Sequence, residues 1–224
     1  MYQSLLKELS ARNVALIAVS KTHPPERILD LYHQGQRAFG ENKVQEMVAK
    51  YETLPKDIEW HLIGHLQTNK VRYIAPFVRM IHSVDSLRLL QEIEKQAHKT
   101  GRVIDCLLQF HIAGEETKFG LDEQEARSLL ESPEYRAMTA VRICGVMGMA
   151  SFTEDDSRVR AEFRRLRGIF KNLKAAYFAD APWFKEVSMG MSGDWSVAAE
   201  EGSTMVRIGS LIFGERNYST PDAK

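Results

Sequence analysis

The residue with the clearest chemical potential is a lysine that follows a short apolar run. Residues 16–19 (LIAV) are typical of a buried strand, and Lys21 shares the strand parity of Ile17 and Val19. If that face points inward, burial would lower the pKa of the Lys21 ammonium and prepare the amine for Schiff-base formation. A solvent-exposed lysine at a strand end is the simpler alternative, and from this segment alone it is the commoner case.

A second group of candidates lies near the carboxyl-terminal end. Residues 188–194 (SMGMSGD) supply hydroxyls and glycines before a predicted helix, where backbone N–H groups and the helix dipole attract an anion. Residues 206–210 (VRIGS) form the next strand end. In barrels the loops after the last two strands often bind phosphate. The predicted phosphate contacts are Ser188, Ser192, Gly209 and Ser210. An ordinary helix N-cap remains the alternative for Ser192.

Arg207 is unusual because it is predicted to lie in the middle of a strand, where an unpaired guanidinium is costly to bury. A structural pair with a carboxylate would explain it, and so would contact with a bound group. A reactive lysine, this arginine and a phosphate cradle together are what pyridoxal 5′-phosphate (PLP) requires, with the arginine facing the pyridine nitrogen. An arginine there would keep that nitrogen unprotonated and weaken the cofactor as an electron sink. Asn42, after the second predicted strand, can offer an amide at the same mouth.

Strand-like and helix-like segments alternate along the whole sequence. The predicted strands are 16–19, 37–40, 58–63, 80–84, 103–112, 141–147, 183–187 and 205–208. Eight strands alternating with helices in 224 residues favour a single-domain (β/α)8 TIM barrel over residues 1–224, with an open doubly wound sheet as the alternative. A long basic helix is predicted from 155 to about 177, and its charge is interpreted as a solvated face.

Composition narrows the classes of function. Thirty basic and thirty acidic residues balance, which gives no electrostatic reason to expect nucleic acid or an anionic membrane as partner. The first residues lack the layout of a signal peptide, and no apolar run approaches the ~20 residues of a membrane span. Cys106 and Cys144 are predicted to be buried free thiols, which suggests a reducing, cytoplasmic location. His61 and His65 are four apart but begin in a predicted strand, so no metal site is expected.

Several longer motifs resemble one known family. They are 18–22 (AVSKT), 39–42 (FGEN), 60–70 (WHLIGHLQTNK), 116–120 (ETKFG), 188–194 (SMGMSGD), 202–209 (GSTMVRIG) and 212–216 (IFGER). They cover almost the whole chain in the family's order. The sequence resembles the pyridoxal phosphate homeostasis proteins, which are single-domain relatives of the N-terminal barrel of alanine racemase.

This resemblance implies a PLP-binding barrel that acts in vitamin B6 and amino-acid homeostasis without established catalytic turnover. Lys21 would be the Schiff-base lysine and Arg207 the partner of the ring nitrogen. The implied cofactor contacts are Lys21, Asn42, Met147, Ser188, Met189, Ser192, Arg207, Ile208 and Gly209. Gly148 stands where many relatives carry threonine, which implies the loss of a hydroxyl near the cofactor.

Two enzymatic alternatives compete with a cofactor carrier or regulator. A PLP-dependent racemase-like enzyme of fold type III needs two bases, and in two-domain racemases the second comes from a β-domain that we do not expect here, because the sequence ends at Lys224 soon after the eighth strand. A class I aldolase would use the lysine on a carbonyl substrate, and Arg207 argues against it. The carrier hypothesis has PLP as its ligand, PLP-dependent apo-enzymes as candidate partners, and a monomer as its expected state.

Overall fold

Eight parallel strands close into one barrel. The computed structural model describes residues 2–114 and 119–214, and within them the strands follow one another in sequence order around the barrel. The strands are β1 (Ala15–Val19), β2 (Ala38–Glu41), β3 (Glu59–Leu62), β4 (Met80–Val84), β5 (Ile104–Phe110), β6 (Val141–Gly148), β7 (Glu186–Ser188) and β8 (Met205–Ile208). The ring closes where β8 pairs with β1, with Arg207 opposite Ile17. The predicted barrel is confirmed, and the open sheet is wrong.

Helices surround the barrel on the outside. They are α1 (Tyr2–Ala11), α2 (Pro25–His33), α3 (Val44–Thr53), α4 (Val71–Ile74), α5 (Leu87–Thr100), α6 (Glu123–Glu131), α7 (Pro133–Arg136), α8 (Asp156–Tyr177), α9 (Trp195–Glu200) and α10 (Ser210–Phe213), with a 3-10 turn at Thr68–Lys70. Ser86 caps the amino-terminal end of α5, since its hydroxyl accepts the N–H of Leu89 at 3.3 Å. None of the described helices is both long and apolar enough to cross a bilayer.

Apolar side chains form two separate layers. The larger core lies between the strands and the helices, and it includes Phe39 and Trp60 from neighbouring strands. A smaller cluster is separate from that core and consists of Met80, Leu107, Cys144, Met147 and Met205, whose strands all contribute to the barrel wall. Alternation along each strand explains the division, since successive side chains point to opposite faces of the sheet. The small cluster therefore fills part of the barrel interior.

A bulge in β6 changes which residues face inward. The register between β5 and β6 shifts at Gly145, where φ is +155° and a Cβ would overlap the carbonyl oxygen of Glu186. Only glycine fits this position. Cys144 and Met147 both belong to the interior cluster, whereas Val146 packs in the outer core. The extra residue thus resets the alternation before β6 reaches the carboxyl-terminal mouth of the barrel.

Candidate functional site

Lys21 lies in a tight turn directly after β1. The carbonyl of Ser20 accepts the N–H of His23 at 3.1 Å, and Thr22 has φ of +68°, a left-handed conformation that is rare for a β-branched residue. Because β1 ends at Val19, strand alternation does not extend to Lys21, and the turn determines its position instead. Lys21 is half-buried.

A buried charged cluster holds both residues that flank Lys21. The Lys50 ammonium donates to the Ser20 carbonyl at 2.8 Å, to Glu41 Oε1 at 2.7 Å and to Glu46 Oε1 at 2.7 Å. Ser20 Oγ also donates to Glu41 Oε1 at 2.6 Å. The backbone N–H of Thr22 donates to Glu46 Oε1 at 2.6 Å. We call Ser20, Glu41, Glu46 and Lys50 the lysine-side cluster, because it anchors the turn of Lys21 from both ends.

Within this cluster, Glu41 has the environment least favourable to a charge. Its side chain is completely buried, and Oε2 has no hydrogen-bond partner among the described residues. Burial raises the pKa of Glu41 to about 7, although Lys50 and Ser20 act in the opposite direction. The carboxyl therefore lies near the midpoint between its neutral and charged forms at physiological pH.

Asn42 follows Glu41 at the end of β2. Its Oδ1 atom is buried and has no partner among residues 2–114 and 119–214. Gly64 lies directly against it, since a Cβ on that glycine would overlap the Asn42 carbonyl oxygen. The close packing of the β3 loop thus holds Asn42 with an unsatisfied acceptor at the mouth of the barrel, where a bound donor would stabilise it.

Arg207 lies on β8, and its guanidinium is buried inside the barrel. Nη1 donates to Ser188 Oγ at 2.6 Å, and Nη2 donates to the Gly148 carbonyl at 3.1 Å. Burial lowers the pKa of Arg207 to about 10, and the nearby Asp194 carboxylate opposes this effect. The arginine therefore remains cationic at neutral pH. Among residues 2–114 and 119–214, its hydrogen-bonding partners are a hydroxyl and a carbonyl, not the paired carboxylate of the structural alternative.

Ser188 extends this contact toward two buried histidines. Ser188 Oγ lies 2.9 Å from His82 Nδ1, and His82 Nε2 lies 2.9 Å from His61 Nδ1. Burial lowers the pKa of both rings, to about 3 for His61 and well below the ordinary value for His82. Both imidazoles are neutral. We call Arg207, Ser188, His82 and His61 the arginine-side network.

The predicted phosphate region brings Ser192 and Gly209 together. Ser192 Oγ accepts the backbone N–H of Gly209 at 3.3 Å, so the loops after β7 and β8 touch. Ser192 does not act as a helix cap here, because α9 begins at Trp195 and no side chain caps it. Ser188 is completely buried beside Arg207, and Ser210 is the first residue of α10. The structure thus joins Ser192 to Gly209, whereas Ser188 contacts Arg207 deeper in the barrel.

The three remaining predicted contacts differ in the direction of their side chains. Met147 belongs to the interior cluster of the barrel. Met189 and Ile208 pack in the outer core between strands and helices. At those two positions a ligand at the mouth would meet backbone groups.

The expectation for Gly148 is wrong. A Cβ at this position would lie 2.9 Å from Ile112 Cδ1 and 3.0 Å from Leu166 Cδ2, in the outer layer. A threonine hydroxyl here would therefore point away from the mouth. The bulge at Gly145 inverts the alternation and is the physical reason. Gly148 contributes its carbonyl oxygen, which accepts from Arg207.

The sequence analysis did not identify the residues that support Lys21 and Arg207. Lys50 and Glu46 lie on α3, far in sequence from Lys21, and His82 lies on β4, far from Arg207. A signal was present for His82, because an ionisable residue with the parity of Met80 lies in the middle of a predicted strand. Asp194, whose carboxylate accepts the Met191 N–H at 2.5 Å, is a further missed neighbour of Arg207.

Two predicted motifs lie partly outside the described residues, namely 116–118 of the ETKFG motif and 215–216 of the IFGER motif. Within the described ranges, no group of three or more histidine, cysteine, aspartate or glutamate side chains is arranged to bind a metal ion.

Comparison with known proteins adds two kinds of finding. The profile of the alanine racemase N-terminal domain matches residues 2–217. The pyridoxal phosphate homeostasis protein of Aquifex aeolicus is 44% identical over 204 residues, which cover 91% of this chain and 87% of that protein. The human protein of the same name is 37% identical over 229 residues, covering 96% of this chain and 82% of that one.

Solved structures give the same picture. PipY of Synechococcus elongatus, solved with PLP bound, superposes with a TM-score of 0.81 at 37% identity. The superposition covers 93% of this chain and 98% of PipY.

Proposed function

Because the chain belongs to the alanine racemase N-terminal domain family, and within it to the pyridoxal phosphate homeostasis proteins, we propose that it binds PLP at the carboxyl-terminal mouth and takes part in PLP homeostasis. In this proposal Lys21 forms the Schiff base. The observation that carries it is that the buried cationic Arg207 lies on β8, the strand that pairs with β1, and that Lys21 follows β1.

The polar groups at the mouth suit this cofactor. Asn42 Oδ1 is buried and unsatisfied within the described residues, so a ligand that donates to it would remove an energetic cost. Arg207 is a fork of five donors, of which two are used by Ser188 and Gly148. The Ser192–Gly209 contact joins the two loops that favour a phosphate in this fold.

Each residue then has a distinct task. PLP supplies an aldehyde that condenses with a primary amine, and Lys21 provides that amine. The lysine-side cluster holds the turn on which Lys21 stands. Asn42 and Arg207 orient the ring, and the loops containing Ser192 and Gly209 hold the phosphate.

The electrostatics of Arg207 support a carrier with weak or no catalysis. A guanidinium that stays charged at neutral pH disfavours a second positive charge on a ring nitrogen beside it. An unprotonated ring withdraws electrons less strongly, which limits carbanion chemistry. The alternative, a racemase-like enzyme, predicts interconversion of L- and D-alanine with kcat on the order of 10 s⁻¹. A slow side reaction would be compatible with the carrier.

An absorption titration tests the cofactor and its lysine. Wild type, Lys21→Ala and Lys70→Ala are incubated with PLP and desalted, and visible spectra are recorded. We expect an imine band in wild type and in Lys70→Ala, and none in Lys21→Ala. Lys70, in the 3-10 turn after β3, serves as the matched control lysine. An imine band retained in Lys21→Ala would overturn the assignment, and no band in any protein would overturn the proposed function.

Partners, compartment and assembly complete the proposal. PLP-dependent apo-enzymes are the proposed recipients, and transfer to one of them is measurable as recovered activity of that enzyme. The two buried free thiols, Cys106 and Cys144, are compatible with a reducing cytoplasm. We propose a monomer, which sedimentation equilibrium with and without PLP would test.

A further inference from the structure

The arginine-side network crosses the interior of the barrel through side chains from four strands. It starts at Arg207 on β8, passes Ser188 on β7 and His82 on β4, and ends at His61 on β3, with successive atoms 2.6, 2.9 and 2.9 Å apart. All four side chains are buried. Such a buried network is stable only when each donor faces an acceptor.

The far end of the arginine-side network, His61, reaches the opposite mouth of the barrel. His61 lines a cavity of about 420 Å³ at the amino-terminal ends of the strands. Other parts of its wall are Arg79, Asp105 and Arg142, where Asp105 accepts from both arginines at 2.5 and 2.6 Å. The remaining nitrogen of His61, Nε2, is therefore the atom available to this polar cavity.

The hydrogen positions of the two rings are coupled. A neutral imidazole has one N–H and one acceptor nitrogen. Since His61 Nδ1 faces His82 Nε2, one of the two atoms carries the hydrogen. If it is His82 Nε2, then both rings are Nε2–H tautomers and Ser188 donates to His82 Nδ1. If it is His61 Nδ1, then both rings are Nδ1–H tautomers and His82 donates to Ser188.

The surroundings of Ser188 decide between these two arrangements. Arg207 Nη1 already donates to Ser188 Oγ. In the part of the chain that the structure describes, the hydroxyl of this completely buried serine contacts only Arg207 and His82. If His82 also donated to it, the serine hydrogen would have no acceptor. The Nε2–H arrangement gives the hydrogens of Ser188 and of His82 one acceptor each, and it directs the Nε2–H of His61 toward the cavity.

We propose that His82 and His61 are positioning residues for Arg207. His82 Nδ1 accepts the Ser188 hydrogen, which orients the Ser188 oxygen so that a lone pair faces Arg207 Nη1. His61 fixes the tautomer of His82 by accepting from its Nε2–H. With Nη2 held by the Gly148 carbonyl, the guanidinium is fixed in one orientation. This inference deepens the proposed function, on which its cofactor-binding consequence rests.

Histidine ¹⁵N NMR on the cofactor-free protein tests the hydrogen positions directly. Single His61→Asn and His82→Asn variants assign the two rings. At pH 7 we expect both rings to be neutral Nε2–H tautomers. A protonated ring, or an Nδ1–H tautomer in either ring, would overturn the proposal. Because no PLP is present, this result does not depend on whether the proposed function is correct.

A matched pair of substitutions tests the effect on Arg207. The amide of His82→Asn reaches the position of Nδ1 and keeps the contact with Ser188, whereas His82→Gln reaches the position of Nε2 and loses it. Relative to wild type, we expect the PLP dissociation constant to rise about tenfold in His82→Gln and less than about threefold in His82→Asn. The Arg207 side-chain NMR signals of the cofactor-free protein should shift in the same order.

Equal losses in the two folded variants would show that the histidine is merely structural, and the proposal would fail. Should either variant not fold, a comparison of His61→Asn with His61→Gln repeats the test at the next residue of the network. Only asparagine at position 61 keeps the contact with His82. Absence of PLP binding by wild type would instead contradict the proposed function, while the Arg207 signals would still decide the positioning role.

Discussion

The two sides of the mouth are held by opposite kinds of interaction. On the side of Lys21, charged groups meet in a buried cluster in which Lys50 contacts two carboxylates. On the side of Arg207, a cation is held by a hydroxyl and a carbonyl, and behind them lie neutral imidazoles. One side thus depends on paired charges, and the other holds its cation with neutral groups.

The two sides respond to pH in opposite directions. The folded-state pKa of Glu41 is about 7, above its ordinary 4.5, so the folded protein holds this proton more tightly than the unfolded chain. The contribution of Glu41 to the free energy of unfolding therefore falls as pH rises from about 4.5 to 7. The histidine pKa values are depressed, so their contribution is complete above the ordinary value of 6.5 and falls as pH drops below it.

The largest expected effect comes from removing the cation of the lysine-side cluster. Lys50→Met leaves Glu41 and the Ser20 carbonyl without their donor, and we expect the free energy of unfolding at pH 8.5 to fall by about 3 kcal/mol. The loss should be smaller at pH 6, where Glu41 takes up a proton. Urea unfolding at both pH values measures it.

Two controls sharpen this test. Lys43→Met replaces an exposed lysine just before α3 and should change stability by less than about 0.5 kcal/mol. The double variant Glu41→Gln/Lys50→Met should lose less stability at pH 8.5 than Lys50→Met alone, because the completely buried Glu41 charge is removed and only the partly exposed Glu46 carboxylate remains. A Lys50→Met loss that does not vary with pH would contradict the role given to Glu41.

An intermediate effect is expected on the arginine side. Between pH 7 and pH 5 the unfolded chain protonates His61, whereas the folded protein does not. Wild type should therefore lose about 2 kcal/mol more unfolding free energy over this interval than His61→Asn does. Urea unfolding of both proteins at each pH supplies the difference, in which the contributions of other groups cancel. Parallel pH profiles would show that His61 is charged or exposed in the folded protein.

The smallest effect is expected at the turn of Lys21. Thr22→Gly relieves a left-handed conformation that costs a β-branched residue roughly 1 kcal/mol, but it also increases the freedom of the unfolded chain. We expect the net change in unfolding free energy to stay within about 1 kcal/mol. Thr22→Ala, which keeps a Cβ at the same φ, is the matched control. A loss above about 2 kcal/mol for Thr22→Gly would mean that the threonine side chain itself stabilises the turn.

The same comparison shows what the sequence could predict. For strands such as β4 and β8 the predicted ends match the structure, because polar or glycine residues next to the strands mark the ends locally. Lys21 and Arg207 were recognisable because a charged residue at or in an apolar strand is unusual. The parity of Gly148 was not predictable, since the bulge at Gly145 depends on the approach of Glu186 from β7. The contacts of Lys50 with Ser20 and Glu41 cross between elements, as do those of His82, so the sequence does not show which residues meet.

The central claim, that Lys21 carries the cofactor at this mouth, is tested most directly by trapping the linkage. Wild-type protein is incubated with PLP, reduced with borohydride, digested, and mapped by mass spectrometry. We predict that the phosphopyridoxyl group is found on the peptide containing Lys21, at near-stoichiometric yield. Its appearance mainly on Lys70 or Lys118, or its absence from every peptide, would contradict the claim.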